Sequence, residues 1–484
     1  MYGLAFGLQA PAAVICALPS LSPLVPFPQP INEGERNMSA DIAGTAGRQH
    51  SSLGRVMLAS AIGSALEWYD FFIYGTAAAL VFNELFFPKL DPRIGTLAAF
   101  ATFGVGFFAR PFGGLVFGHF GDRIGRKPML VVTLLLVGVA TFLIGLIPSY
   151  ASIGILAPIL LVVLRLLQGF GAGAEYGGAV IFAVEYAPEG RRGLFGSWAP
   201  IGVTVGNLLA AAVFAIVTLL SKEDLLSWGW RIPFLLSAIL VALGLYIRVS
   251  VAETPVFTEV AQQRKPLKAP VLDAIRRHPR SFLVVIGSRM AENGLGYLFP
   301  VFGLSYVVQQ LHLPKSVALF GVILSQFLSL FTIPLFSALS DRLGRRPIYL
   351  GAALFSAAWA FPFFILCETK ESWLIWLAFV GASAIGVSGM FGPQAAYYSE
   401  LFGPRVRFGG FAFARELGSI LAGGPAPFLA ASLLDLAGGR PWWVAAYIIV
   451  LSLITAAAIT IGPETHRGDI AAEHPDDIVP SPSV

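Results

Sequence analysis

Twelve transmembrane helices in two pseudo-symmetric six-helix halves, an all-α membrane fold, is the architecture this sequence predicts. Three observations predict it. Apolar residues make up 56% of the 484 and charged residues only 12%, about half the charge of a soluble domain, so lipid is the main solvent of this chain. Twelve apolar runs each reach the roughly 20 residues needed to cross a bilayer. One segment occurs twice, as GHFGDRIGRKP at 118–128 and SALSDRLGRRP at 337–347. Its two aspartates, Asp122 and Asp341, stand 219 positions apart, a little under half the chain, which marks an internal duplication.

Residues 1–52 read as an N-terminal tail. The first 30 are apolar, rich in proline and without Lys or Arg, so they lack the positive start of a secretory signal. Met38 opens an ordinary polar stretch and is the expected start of translation. Spans are expected at about 56–82, 95–118, 128–148, 153–178, 195–220 and 230–250, then at 281–310, 316–338, 347–367, 372–398, 409–434 and 441–462. The first six form an N-terminal half, 53–250, and the last six a C-terminal half, 281–465. The polar stretch 251–280 reads as a linker between them, and 466–484 as a tail.

Orientation follows from the loop cations. The N-tail, the connections after spans 2, 4, 6, 8 and 10, and the C-tail together hold 21 of the 32 lysines and arginines. The other set of connections holds Lys89, Arg93, Lys222, Lys315, Lys370 and Arg440. Both termini are therefore expected in the cytoplasm. The halves share two further landmarks: Glu185 and Glu400 after spans 4 and 10, and the Glu-Thr pairs Glu253-Thr254 and Glu464-Thr465 after spans 6 and 12.

Charge inside a bilayer costs at least about 2.5–3.5 kcal/mol per group and marks function or pairing. Span 1 carries Glu67 and Asp70 on one face. Span 7, its symmetry mate, carries a polar stripe of Arg289, Glu292, Asn293 and Tyr297 at helical spacing. Span 2 holds Arg110, span 4 holds Arg165 and Gln168, and span 11 holds Arg415 beside Glu416. Arg289 and Glu292 stand close enough to pair. Arg415 and Glu416 are adjacent, point in different directions and are expected to have separate partners. An arginine fork suits a carboxylate cargo, and an acid that trades an arginine with that cargo can take up a proton. Arg110, Gln168, Arg289, Asn293, Tyr297 and Arg415 are accordingly the substrate-binding candidates. Glu67, Asp70 and Glu292 are the proton-coupling candidates. Static ion pairs holding helices together are the bland alternative. Trp68, Tyr74, Tyr397 and Tyr398 are further aromatics that could line a cavity.

No phosphate-binding glycine loop appears, no metal-ligand spacing, and no nucleophile–base pattern. Cys16 and Cys367 make no disulfide framework. The expectation is a non-enzyme without cofactor or metal, with no nucleic-acid partner, working as a monomer in the lipid bilayer.

The text narrows this further. ALEWYDFFIYG in span 1, FFARPFGGLVFGHFGDRIGRKP through span 2, RLLQGFGAGAEYGGA in span 4 and WGWRIPF at span 6 resemble the metabolite:proton symporter family of the major facilitator superfamily, from about residue 53 to 467. That family includes carriers of shikimate, oxoglutarate, citrate and proline or betaine. The resemblance implies the major facilitator fold and a proton-coupled symporter importing a small organic acid across the bacterial inner membrane. An exporter, an exchanger, or a zwitterion carrier of the same fold is the alternative. A metabolite sensor is the remote one. The resemblance further implies that the duplicated segment gates the cytoplasmic side, through Asp122, Arg123 and Arg126 and through Asp341, Arg342 and Arg345. It also implies that Arg165 acts in proton coupling. Ser337 stands where the first copy has Gly118, so looser packing is expected there.

Overall fold

The computed structural model describes residues 57–58, 61–124, 126–173, 175–185, 187–250, 275–276, 278–403, 406–468 and 470. Among these there is no β-strand, as the bilayer requires of a chain that satisfies every backbone donor within its own helices. In the N-terminal half α1 covers 61–80. It is followed by α2 (Pro92–Ile124), α3 (Arg126–Leu146), α4 (Leu156–Ala172 and Glu175–Glu185), α5 (Trp198–Val217) and α6 (Ile232–Leu235 and Ser237–Ser250). In the C-terminal half are α7 (Pro279–Tyr297, continued through Leu298–Gly303 and Tyr306–Gln310), α8 (Lys315–Leu343), α9 (Arg345–Glu368), α10 (Ser372–Val380, Gly381–Val387 and Ser388–Glu400), α11 (Arg407–Gly418, Ser419–Gly423 and Ala426–Leu436) and α12 (Trp442–Ile461).

Among the described residues seven helices are long and apolar enough to cross a membrane by length and composition, and three shorter apolar helices lie in α3, α4 and α6. The two spans that miss both marks are α1 and α7. Each is diluted by its own polar stripe, Glu67 and Asp70 in one, Arg289, Glu292 and Asn293 in the other. The helices that look least like membrane spans are therefore the two that carry these polar stripes. Large apolar side chains such as Phe112, Leu283 and Phe331 stay exposed along the outside of the helices, where the acyl chains lie.

The duplicated segment is less of a loop than its sequence suggests. Asp341 and Arg342 belong to the last turn of α8, and the chain turns at Gly344, whose φ of 106° no side-chain-bearing residue adopts without strain. Asp122 and Arg123 likewise fall in the last turn of α2, and Arg126 opens α3; the side chains of these three lie outside the described residues. Ser337, expected to loosen the second copy, is fully buried and donates to the Ile333 carbonyl at 2.7 Å. Gly392 of α10 leaves the room it needs: a Cβ there would sit 3.0 Å from the Ser337 hydroxyl.

Three helices of the C-terminal half, α7, α10 and α11, contain a wider π-helical stretch near mid-length or beyond. Such stretches rotate the side chains that follow and concentrate at functional sites. All three helices face the centre of the molecule.

Candidate substrate and proton site

A small cavity of about 50 Å³ lies between the two halves. The N-terminal half contributes Trp68 and Phe72 from α1 and Thr204 and Asn207 from α5. The C-terminal half contributes Arg289, Glu292, Asn293 and Tyr297 from α7, with Gln326 and Ser329 from α8, Ser383 and Ser388 from α10, and Arg415 from α11. The wall is apolar with a few polar groups, the usual composition of a small-molecule site.

The charges are placed by close helix packing. Helices α2 and α4 cross through glycines: a Cβ on Gly169 would fall 1.9 Å from the Gly106 carbonyl. This approach sets Arg110 and Arg165 beside α1. The Arg165 guanidinium lies 4.4 Å from the Phe71 ring centre and 4.3 Å from that of Tyr74, and donates to Gln168 and to the Phe103 carbonyl. Gln168 in turn donates to the Asp70 carbonyl and to Thr141. Arg165 and Gln168 thus form one buried unit under α1 and do not line the cavity. Cations over desolvated rings gain up to about 2 kcal/mol each, which lets an arginine rest inside the membrane without a carboxylate.

Asp70 differs from every other buried acid here. Its carboxyl lies beside Thr141, one of its oxygens has no hydrogen-bond partner, and among the described residues no basic side chain comes within 4.0 Å of it. Glu67, one turn away, has Arg110 at 3.8 Å.

Arg110 also reaches the other half: its second amino group stands 3.6 Å from Glu416 of α11. Glu416 meanwhile holds Arg415 through its other oxygen at 2.5 Å. This corrects the expectation of separate partners for the adjacent Arg415 and Glu416: flexible side chains fold back on each other when both are buried and no third group is nearer. Arg415 lies flat on the Tyr176 ring of α4, 3.8 Å from its centre. Arg289 pairs with Glu292 at 2.8 Å, as the spacing implied, and also donates to Ser419 at 2.9 Å.

The arginines are not used up by these bonds. Nε and one amino group of Arg415, Nε of Arg289, Nε1 of Trp68 and the hydroxyl of Tyr297 have no hydrogen-bond partner. All four residues line the cavity. Trp68 and Tyr297 stack at 6.1 Å with their planes 20° apart, and Phe72 closes the same wall. Tyr74 is instead tied to Thr102 at 2.7 Å. Tyr398 and Tyr349 bond each other and Ser288 behind the cavity. The sequence reading missed Asn207, Gln326, Ser329, Ser383 and Ser388. A lone Asn or Gln inside an apolar span was the available signal, and serines, which satisfy their hydroxyls on their own helix, give almost none.

Both mouths of the cavity are closed. On the face carrying the duplicated segment, the basic face, Asp341 accepts from the backbone N–H groups of Gly193 and Leu194 at 2.7 and 2.9 Å, capping the short helix Arg192–Gly196 of the other half. Asp341 also holds Arg345 at 2.7 Å, and Arg345 grips Glu400 with a two-pronged contact at 3.1 and 3.2 Å. Arg407 joins Glu185 across the halves at 2.7 Å. Arg342 is exposed and outside this network. On the opposite face Gln309 donates to the Ala79 carbonyl at 2.8 Å and accepts from Thr96 at 2.9 Å.

Comparison with known proteins is consistent along the whole described chain. Residues 56–280 match the family model described as sugar (and other) transporter, and residues 282–477 match that of the major facilitator superfamily. The shikimate transporter of Escherichia coli (strain K12) is 40% identical over 418 residues, which cover 85% of this chain and 95% of the relative. The proline/betaine transporter of Salmonella typhimurium is 37% identical over 421 residues, covering 84% of this chain and 83% of the relative. Among solved structures the proton:xylose symporter XylE superposes with a TM-score of 0.66 at 19% identity, over 86% of this chain and 97% of that one.

Proposed function

We infer that this chain, which belongs to the major facilitator superfamily of membrane transporters, is a proton-coupled symporter that imports a small hydroxylated organic acid by alternating access. The supporting observation is the set of donors without hydrogen bonds on Arg415, Arg289, Trp68 and Tyr297, four residues that line one cavity between the halves. Donors in excess, two of them on guanidinium forks, suit a carboxylate. The amides of Asn207 and Gln326 and the hydroxyl of Ser383 across the same cavity suit hydroxyl groups on the cargo. The likeness to a shikimate transporter fits this polarity.

The proton rides on Asp70, the buried acid without a cationic partner, with Glu67 and Glu292 as arginine-held neighbours. The halves 53–250 and 281–465 rock about the cavity, joined by 251–280. The basic loops put both termini on the cytoplasmic side of a bacterial inner membrane, so the segments around Asp122 and Asp341 gate the inner mouth. The unit of transport is the monomer. A second reading is a zwitterion such as betaine. The Trp68, Phe72 and Tyr297 wall suits a quaternary ammonium, and the likeness to a proline/betaine transporter favours it.

The test is uptake into proteoliposomes under an inward proton gradient, with labelled shikimate, oxoglutarate, citrate, benzoate and glycine betaine. Accumulation of a hydroxylated acid that a protonophore collapses is the expected result; accumulation of betaine alone selects the second reading. Asp70→Asn is expected to abolish accumulation and spare exchange of internal for external substrate. If the variant still accumulates, Asp70 does not carry the proton.

A further inference from the structure

Glu416 occupies an unusual position. It was not among the residues the sequence singled out for proton or substrate, yet it is the acid that links the cavity arginine of one half to a buried arginine of the other. One oxygen holds Arg415 and the other stands 3.6 Å from Arg110. The side chain is almost fully buried, and the arginines it touches keep Nε and one amino group each without a hydrogen bond, that of Arg110 standing 3.8 Å from Glu67. A carboxylate between two guanidinium groups at the edge of a substrate cavity is the arrangement a carboxylate cargo would itself make.

We propose that Glu416 is an internal stand-in for the cargo carboxylate. In the empty carrier it neutralises Arg415 and Arg110 and lets the halves close over them. When cargo binds, its carboxylate takes Arg415, and Glu416 is released from that fork. The logic is one of cost. Without Glu416 the two buried arginines would be left with Glu67 alone, 3.8 Å from Arg110, and Arg415 would close uncompensated in a low dielectric. A symporter must pass through the closed state empty on every return, so it needs such an anion built in. The same group competes with the cargo, because an arginine already held is not free to bind. This rests on the reading that the cargo is a carboxylate.

Two measurements test it on purified full-length protein. Binding is read from the thermal shift produced by shikimate, citrate, oxoglutarate and benzoate, without any proton gradient. Glu416→Gln is expected to bind the best of these acids about tenfold more tightly than the native protein, as an internal competitor with a modest advantage would dictate, and Glu416→Asp to fall between. Transport is read in liposomes: Glu416→Gln is expected to retain counterflow, which never requires an empty return, and to lose net uptake. Unchanged or weaker binding in Glu416→Gln overturns the proposal, as does loss of counterflow alongside net uptake in a variant that still shows the binding shift. Failure of the symport reading has a different signature, namely native protein that binds an acid but never accumulates it under a proton gradient.

Discussion

Arg289 and Arg415 show how the surroundings of two identical side chains separate their roles. Arg289 is bonded to Glu292, Ser419 and, at 3.5 Å, Gln394. Arg415, which lines the cavity, has a single acid partner and rests on a ring, leaving Nε and one amino group without a hydrogen bond. Arg415→Lys keeps the charge but replaces the fork by a point donor. It is expected to raise the half-saturating substrate concentration about tenfold, the equivalent of 1.4 kcal/mol, measured as initial uptake rate against concentration. The pairing of Arg289 with Glu292 was legible in their spacing alone, because a helix puts positions three apart on one face. Contacts from Arg110 to both Glu67 and Glu416 were not, since they depend on how α2 lies against α1 and α11. Nor does sequence adjacency tell whether Arg415 and Glu416 diverge or fold together; burial decided that.

At the scale of the helix, packing through glycine positions the charged groups. Gly169→Ala would push a methyl to 1.9 Å from the Gly106 carbonyl, forcing α2 and α4 apart. The expected cost is about 3 kcal/mol, the upper part of the overpacking range, and the displacement carries Arg110 and Arg165 with it. Thermal unfolding in detergent checks the first effect and transport the second; a variant of native stability and native rate would mean the helices can slide to absorb the methyl. The spans themselves were legible because lipid demands long apolar runs. Their ends were not. The last turns of α2 and α8 run into the polar duplicated segment, and α4 continues to Glu185, well past the expected 178, because helix hydrogen bonding persists where protein or interface replaces lipid. The π-helical stretches of α7, α10 and α11 leave no trace in composition, as they arise from packing after the helix is made.

For the molecule as a whole, the duplication fixes the expectation of two halves, and the aspartate of its second copy, Asp341, does bond the other half. Around that copy the chain adds a further tie. Burial works to raise the pKa of Glu464, beyond the end of α12, but backbone N–H donors from Arg345, Arg346, His466 and Thr465 outweigh it and hold the carboxyl below the usual glutamate range. Two of those donors belong to the first turn of α9, at 2.8 and 3.0 Å. Because the folded value is depressed, the contribution to stability is fully present above the ordinary glutamate value and is lost as pH falls through the folded one. Glu464→Gln is therefore expected to lower Tm at pH 7 by about 2 °C, with the gap to the native protein closing as the pH is taken below 4. A gap that stays constant down to pH 3 would assign the loss to shape and not to charge.

The closures of the two mouths differ in kind. One is a web of buried carboxylates, guanidinium groups and a capped helix end. The other, among the described residues, has one glutamine that bridges two helices at its core, with the solvent-exposed Arg93–Asp435 pair at its rim. The two doors are thus fastened by different physics: parting the heavy one separates buried charges, while the light one is held by neutral hydrogen bonds and one pair that water screens.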